Sequence, residues 1–123
     1  MNYQEFAEEI KSKMPVGTQL NNPGGGSSTI LSYSEKNISY QRGKSKINIS
    51  LDELYRAYTL FIGKKIYTTD LRDYKPNIFD SRYGGHSCNT TFFFSILQQL
   101  GKVTEIKGEG KANHPFYVSK IEE

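Results

Sequence analysis

The chain has little of what enzyme chemistry usually draws on. Among 123 residues there are one cysteine, Cys88, and two histidines, His86 and His114. A lone cysteine cannot close an internal disulfide, which agrees with a reducing compartment. His86, Cys88 and His114, even with Asp80 added, do not have the paired spacing of a zinc site. No apolar run approaches the roughly 20 residues of a membrane-spanning helix. The first residues, with Glu5, Glu8 and Glu9, lack the basic and apolar regions of a secretory signal. The expectation is a cytoplasmic protein with no metal, cofactor or membrane partner.

What is present is enough to fold. The composition is 36% hydrophobic and 24% charged, with nine Tyr and seven Phe, far from the aromatic-poor profile of disordered chains. The length suits one domain with one core over residues 1–123. The net charge of +3 is unevenly spread: residues 1–35 carry −2, residues 36–120 carry +7 and residues 121–123 carry −2. A basic middle favours polyanionic partners, although scattered solvated lysines give the same balance.

Tyr3, Phe6, Ile10 and Met14 recur at spacings of three and four, with early glutamates and later lysines, so a helix is predicted over 3–14, ending at Pro15. Residues 21–28, rich in Asn, Pro, Gly and Ser, read as a loop. Residues 29–34, 38–42 and 46–49 read as three short antiparallel strands. Ser50 and Glu53 form an S-x-x-E capping box before the apolar positions Leu51, Leu54, Tyr55, Tyr58 and Ile62, with Gly63 as C-terminal cap. A second helix of about two turns starts at Thr68 or Thr69 as N-cap, turns Leu71 and Tyr74 inward and leaves at Pro76. A third runs from Ser87 to Leu100 and closes at Gly101, with Asn89, Phe93, Ile96, Leu97 and Leu100 on one face and Thr91, Phe94, Ser95 and Gln98 on the other. Residues 103–107 and 116–121 form a hairpin with a flexible tip over 108–115. The predicted fold is α+β: an N-terminal helix and small antiparallel sheet over 1–49, then three helices and a hairpin over 50–121.

That order resembles a winged helix-turn-helix domain, with residues 50–62, 68–75 and 87–100 as the helices and 103–121 as the wing. The run Gly84-Gly85-His86-Ser87-Cys88-Asn89-Thr90-Thr91-Phe92-Phe93-Phe94 is similar to small domains that accompany bacterial restriction systems. The winged-helix resemblance implies a non-catalytic DNA-binding module whose third helix enters the major groove while the wing touches phosphates. His86, Ser87, Asn89, Thr90 and Thr91 would then lie near base edges or phosphates, and Ser95 and Gln98 further along the exposed face. Lys107 and Lys111 on the wing, Lys64 and Lys65 before the second helix, and Arg82 in the turn would neutralise phosphates. Arg42, Lys44 and Lys46 form a second basic cluster at a strand turn.

The third helix carries no Lys or Arg before Lys102, and arginine reading guanine is the commonest specific contact. This points to weak sequence preference, or to a protein partner instead: an inhibitor or adaptor, such as one encoded by a phage or mobile element and aimed at a host defence nuclease.

Catalytic alternatives rest on thinner patterns. Cys88 beside His86 or His114 has the residue types of a thiolate and its base, but a structurally buried cysteine is the stronger reading. Asp80 followed by Glu105-Ile106-Lys107 resembles the D and E-x-K carboxylates of a Mg²⁺-dependent nuclease, yet Asp80 falls in a predicted loop and Glu109-Gly110-Lys111 repeats the pattern. Gly43-Lys44-Ser45 mimics the end of a Walker motif, but Ile38 stands where its first glycine belongs. Tyr40 beside Arg42, Tyr83 beside Arg82, and Phe94 are candidate stacking platforms for bases or a protein surface.

Overall fold

A computed structural model describes residues 1–61 and 63–119. Ile62 and the residues 120–123 expected to end the hairpin lie outside the described residues. The fold is α+β, and its two halves meet without a linker, because β4 ends at Ser50 and α2 begins at Leu51.

Helix α1 spans Tyr3–Lys13. Asn2 caps it reciprocally: its Oδ1 accepts from Glu5 N–H at 2.8 Å, and Glu5 Oε1 accepts from Asn2 N–H at 3.1 Å. The strands β1 (Gln19–Asn21), β2 (Ser27–Tyr33), β3 (Asn37–Arg42) and β4 (Ser45–Ser50) form a fully antiparallel sheet in sequence order. The sequence reading has three strands here, because β1 is only three residues long and the Gly-Ser run looks like loop. In fact β2 starts inside that run, where Ser28 is buried and donates its hydroxyl to Asn22 Oδ1 at 2.8 Å. The Gly43-Lys44-Ser45 segment is the β3–β4 hairpin. Arg42 pairs with Ser45, and Gly43 takes the positive φ of 60° at the first loop position.

Ile30, Tyr40 and Ile47 stand side by side across β2, β3 and β4, as do Ile38 and Ile49 across the last two. All five are buried, so the alternation of these strands puts one apolar face inward. Phe6 and Ile10 of α1 and Met14 at its C-cap are also fully buried, and the Tyr33 hydroxyl donates to Met14 O at 2.6 Å. Burial pushes the Tyr33 hydroxyl up to about 12, so it stays a donor.

Helix α2 spans Leu51–Phe61. Ser50 Oγ accepts from Glu53 N–H at 3.3 Å, as the capping box requires. Glu53 itself turns to Lys75, with Oε1 3.0 Å from Nζ, and so ties α2 to the end of α3. Gly63 has the expected left-handed φ of 83°. A two-residue strand β5 (Ile66–Tyr67) follows, then α3 (Thr68–Tyr74) and the single turn α4 (Pro76–Phe79). Thr68 and Thr69 lie within α3 rather than capping it. Tyr67 holds the N-cap position, its N–H donating to Asp70 Oδ2 at 2.8 Å. Pro76 ends α3 but begins α4, where its missing N–H costs nothing.

Helix α5 (Cys88–Gln99) is the axis of the molecule, with nine consecutive residues from Asn89 to Leu97 buried. The sheet covers one flank. The Tyr40 ring stacks on Phe92 with centroids 3.6 Å apart, worth about 1 kcal/mol beyond area burial. The Tyr40 hydroxyl donates to Asn89 Oδ1 at 2.6 Å, and Asn89 Nδ2 donates to Ile78 O at 2.9 Å. Gly85 seats the start of α5 against α4; a Cβ there would come within 2.7 Å of Pro76 O.

The predicted hairpin is only partly formed. Strand β6 (Tyr117–Val118) pairs chiefly with β5, Ile66 opposite Val118 and Tyr67 opposite Tyr117. On its other side Lys107 N–H donates to Tyr117 O at 2.9 Å and Tyr117 N–H to Lys107 O at 2.8 Å, while Thr104 N–H donates to Ser119 O at 2.7 Å. Between these contacts Glu105 and Ile106 on one side stand against Val118 alone on the other, so the register slips and 103–107 makes no continuous ladder.

Candidate nucleic-acid interface

The expectation of a solvent-facing third helix is overturned by its burial. Thr91 and Ser95 are each 6% exposed and Phe94 is 0% exposed. Asn89 is held between Tyr40 and Ile78, and Thr90 is buried with its hydroxyl donating to Ser87 O at 2.7 Å. For Asn89 and Thr91 the four-stranded sheet is the cover: Tyr40 and Arg42 reach them on a flank that a simple three-helix unit leaves open. Asn89 and Ser95 cannot reach a base edge from inside the core, and Thr90 and Thr91 meet the surface only in a cleft they share with Arg42. Gln98 is half-buried, Ser87 half-buried and His86 exposed.

The two aromatic platforms expected at Tyr40 and Phe94 are likewise interior, both 0% exposed. Burial raises the Tyr40 hydroxyl well above its ordinary range, with the nearby Cys88 adding to the rise. Tyr83 is exposed, with the Arg82 guanidinium 5.6 Å from its ring centroid.

The basic residues fall into two adjoining groups. The first lies on the β5–β6 ribbon. Ile66 and Val118 point into the core, so Tyr67 and Tyr117 point outward, and Lys107, paired with Tyr117, shares that face. Lys65 closes the row: its Nζ lies 4.5 Å from the Tyr117 ring centroid and 5.7 Å from that of Tyr67. The two rings are themselves 5.1 Å apart. Lys64 precedes this row and is exposed. Tyr67 went unnoticed in the sequence, though the order Lys65, Ile66 inward, Tyr67 outward carries its signal.

The second group lines a cleft of about 420 Å³ between the end of β3, the starts of α3 and α5, and the 110–116 loop. Arg42, Arg72 and Lys111 supply its charge, Thr68, Thr69, Ser87, Thr90 and Thr91 its hydroxyls, and Phe116 an aromatic wall. No carboxylate lines it. Arg42 is anchored there, its Nη1 donating to Thr91 Oγ1 at 2.7 Å and to Cys88 O at 3.2 Å. Arg72 Nη2 donates to Thr68 Oγ1 at 3.3 Å. Arg72 was missed in the sequence because Asp70 and Asp73 flank it and suggest a neutral helix; its spacing of four from Thr68 was the available clue. Lys111 sits on the lip, 3.7 Å from Glu109. The cleft and the ribbon touch, since Thr68 follows Tyr67 and Phe116 precedes Tyr117 along the chain.

The expected second basic cluster is split by the strand alternation. Arg42 follows Tyr40 by two and turns toward α5, whereas Lys46, opposite Gln41, lines a hollow on the outer sheet face with Ser39 and Asn48. Lys44 is exposed at the hairpin tip.

Arg82 does not offer a free charge. Its guanidinium grips Asp80 through Nε and Nη2, the latter 2.7 Å from Oδ2, and Asp80 Oδ1 also accepts from Arg82 N–H at 3.0 Å. The hydrogen bonds from Arg82 hold the Asp80 carboxyl down at about 2, against an ordinary 3.8. With Asp80 so occupied, the nuclease pattern with Glu105 and Lys107 is not assembled: both of those are exposed on the ribbon side. Among the described residues no group of three or more His, Cys, Asp and Glu is placed to hold a metal ion. No described helix is long and apolar enough to cross a membrane.

Because its carboxyl is depressed on folding, Asp80 stabilises the fold above the ordinary value of 3.8, and that contribution fades as pH falls toward 2. In thermal melts, Asp80→Asn is expected to lose less stability than the parent between about pH 5 and 2. Parallel acid limbs for the two proteins would remove this assignment.

Comparison with protein-family models, with curated proteins and with solved structures finds no match for this chain.

Proposed function

We propose that this protein is a non-catalytic DNA-binding module that holds the phosphate backbone with the β5–β6 ribbon and the adjoining cleft, without inserting α5 into a groove. The observation that carries the reading is the joining of the two: a Lys-Tyr-Tyr-Lys row runs into a cleft lined by Arg42, Arg72 and Lys111 and by no carboxylate. Phosphate binding needs cations and neutral donors without competing acids, and the cleft lining has that composition.

The topology supports a winged-helix-like arrangement. Strand β5 lies between α2 and α3 and pairs with β6, which follows α5; in that arrangement the ribbon is the wing. The burial of α5 shifts the contact from base edges to backbone, so sequence preference is weak and salt dependence strong.

The test is fluorescence anisotropy of a labelled random-sequence duplex at several salt concentrations, with Lys65→Ala and Lys107→Ala as probes. Each substitution is expected to weaken binding and lower the slope of log affinity against log salt by about one. Both side chains are surface groups, so melting temperatures should hardly change. An absence of binding at low salt would overturn the reading and bring forward the protein-directed adaptor.

A further inference from the structure

The floor of the cleft has a shape and charge beyond what backbone tracking uses. The cleft's volume of about 420 Å³ falls among small-ligand pockets of roughly 300–1,000 Å³. A regular duplex carries its phosphates on a convex surface, which meets the rim of such a concavity, where Lys111 stands, rather than its floor. What reaches the floor is a group projecting from the chain.

The floor is also electrostatically unfinished. Arg42 and Arg72 are half-buried, and they donate to the neutral oxygens of Thr91, Cys88 and Thr68. Neither forms an ion pair with a carboxylate among the described residues. Asp80 feels Arg72 from a distance, but both its oxygens are taken by Arg82. Half-buried guanidinium forks without a carboxylate suit a phosphate, which accepts two parallel N–H donors at once. The Phe116 wall is set by Gly110, since a Cβ there would come 2.5 Å from the ring. That ring is the natural platform for a base.

We infer that the cleft is a subsite for one phosphorylated nucleotide detached from the base stack, its phosphate on Arg42 and Arg72 and its base beside Phe116. This deepens the DNA-binding reading and rests on it. The nucleotide comes either from a 5′-phosphorylated strand end or from an everted position within a duplex, where a mismatch lowers the cost of eversion.

The test compares four DNAs at one salt concentration: a short single strand with and without a 5′-phosphate, and a duplex with and without a central mismatch. A preference of about tenfold for at least one member of a pair is expected. The preference should vanish in Arg42→Gln and in Arg72→Gln, while Lys65→Ala weakens binding to all four alike. Glutamine can keep the bond to Thr91 or Thr68, and two independent variants with melting curves guard against a folding defect. A preference confined to the phosphorylated strand identifies the end as the ligand, and one confined to the mismatch identifies the everted nucleotide. Equal, salt-sensitive binding of both members of each pair overturns the subsite and leaves the DNA-binding reading standing. A preference that survives both arginine substitutions also overturns it. No binding of any of the four overturns both.

Discussion

Asn89→Ala is expected to lower the unfolding free energy by about 2 kcal/mol in urea titration. Asn89 is 2% exposed and spans two parts of the core, accepting from the Tyr40 hydroxyl of β3 and donating to the Ile78 carbonyl of α4. Truncation leaves the Tyr40 hydroxyl buried without its partner, an orphan that costs about 1–3 kcal/mol, while Ile78 O loses one of two donors and keeps His86 N–H at 3.0 Å. Tyr40→Phe removes one hydroxyl, leaves the ring stacked on Phe92 and keeps the Ile78 bond, so its cost is about 1–2 kcal/mol. Combining the two is expected to cost less than the sum, because the hydroxyl orphaned by the first change is absent in the second. A loss below about 1 kcal/mol for Asn89→Ala would mean that water takes over both bonds and that the sheet is not latched to α5 through this side chain.

The same residue shows why half of the fold was legible and half of the site was not. Helical periodicity in 3–14 and 50–62 and the Ser50–Glu53 spacing are local signals, and the helices lie where those signals put them. The span of α5 is local too, and the structure differs by only one residue at each end. Its surroundings are not local. A wheel drawn on Thr91, Phe94, Ser95 and Gln98 sees three polar residues and one aromatic, and assigns them to solvent. Whether a sheet formed forty residues earlier folds back over them depends on Tyr40 meeting Phe92 and Arg42 meeting Thr91, contacts that no window of sequence contains.

The ribbon illustrates the opposite case. Lys65 and Lys107 were each visible, but with Tyr67 and Tyr117 they became a row only once β6 chose β5 as its main partner. Short strands carry little pairing information, and register is set by which residues must be buried. Here Ile66 and Val118 decide it, and the cations follow. The cleft depends on the same event, since Phe116 and Lys111 reach Arg42 and Arg72 only when the chain closes along β5.

Ser95→Arg separates a covered helix from a DNA-reading one. On a recognition helix with an open outer face, an arginine at this position would be solvated and would raise DNA affinity by adding a phosphate or guanine contact. In this fold Ser95 is 6% exposed, between Phe94 and Ile96 at 0%. A guanidinium there has no carboxylate to meet, and an uncompensated buried charge costs roughly 3–5 kcal/mol, a large share of the 5–15 kcal/mol that holds a domain together. The melting temperature should fall by on the order of 10 °C or more. Gln99→Arg, at an exposed position on the same helix, is the matched control and should stay within about 0.5 kcal/mol of the parent. A Ser95→Arg protein that melts like the parent and binds DNA more tightly would show that this face of α5 is open, and would return the helix to the groove.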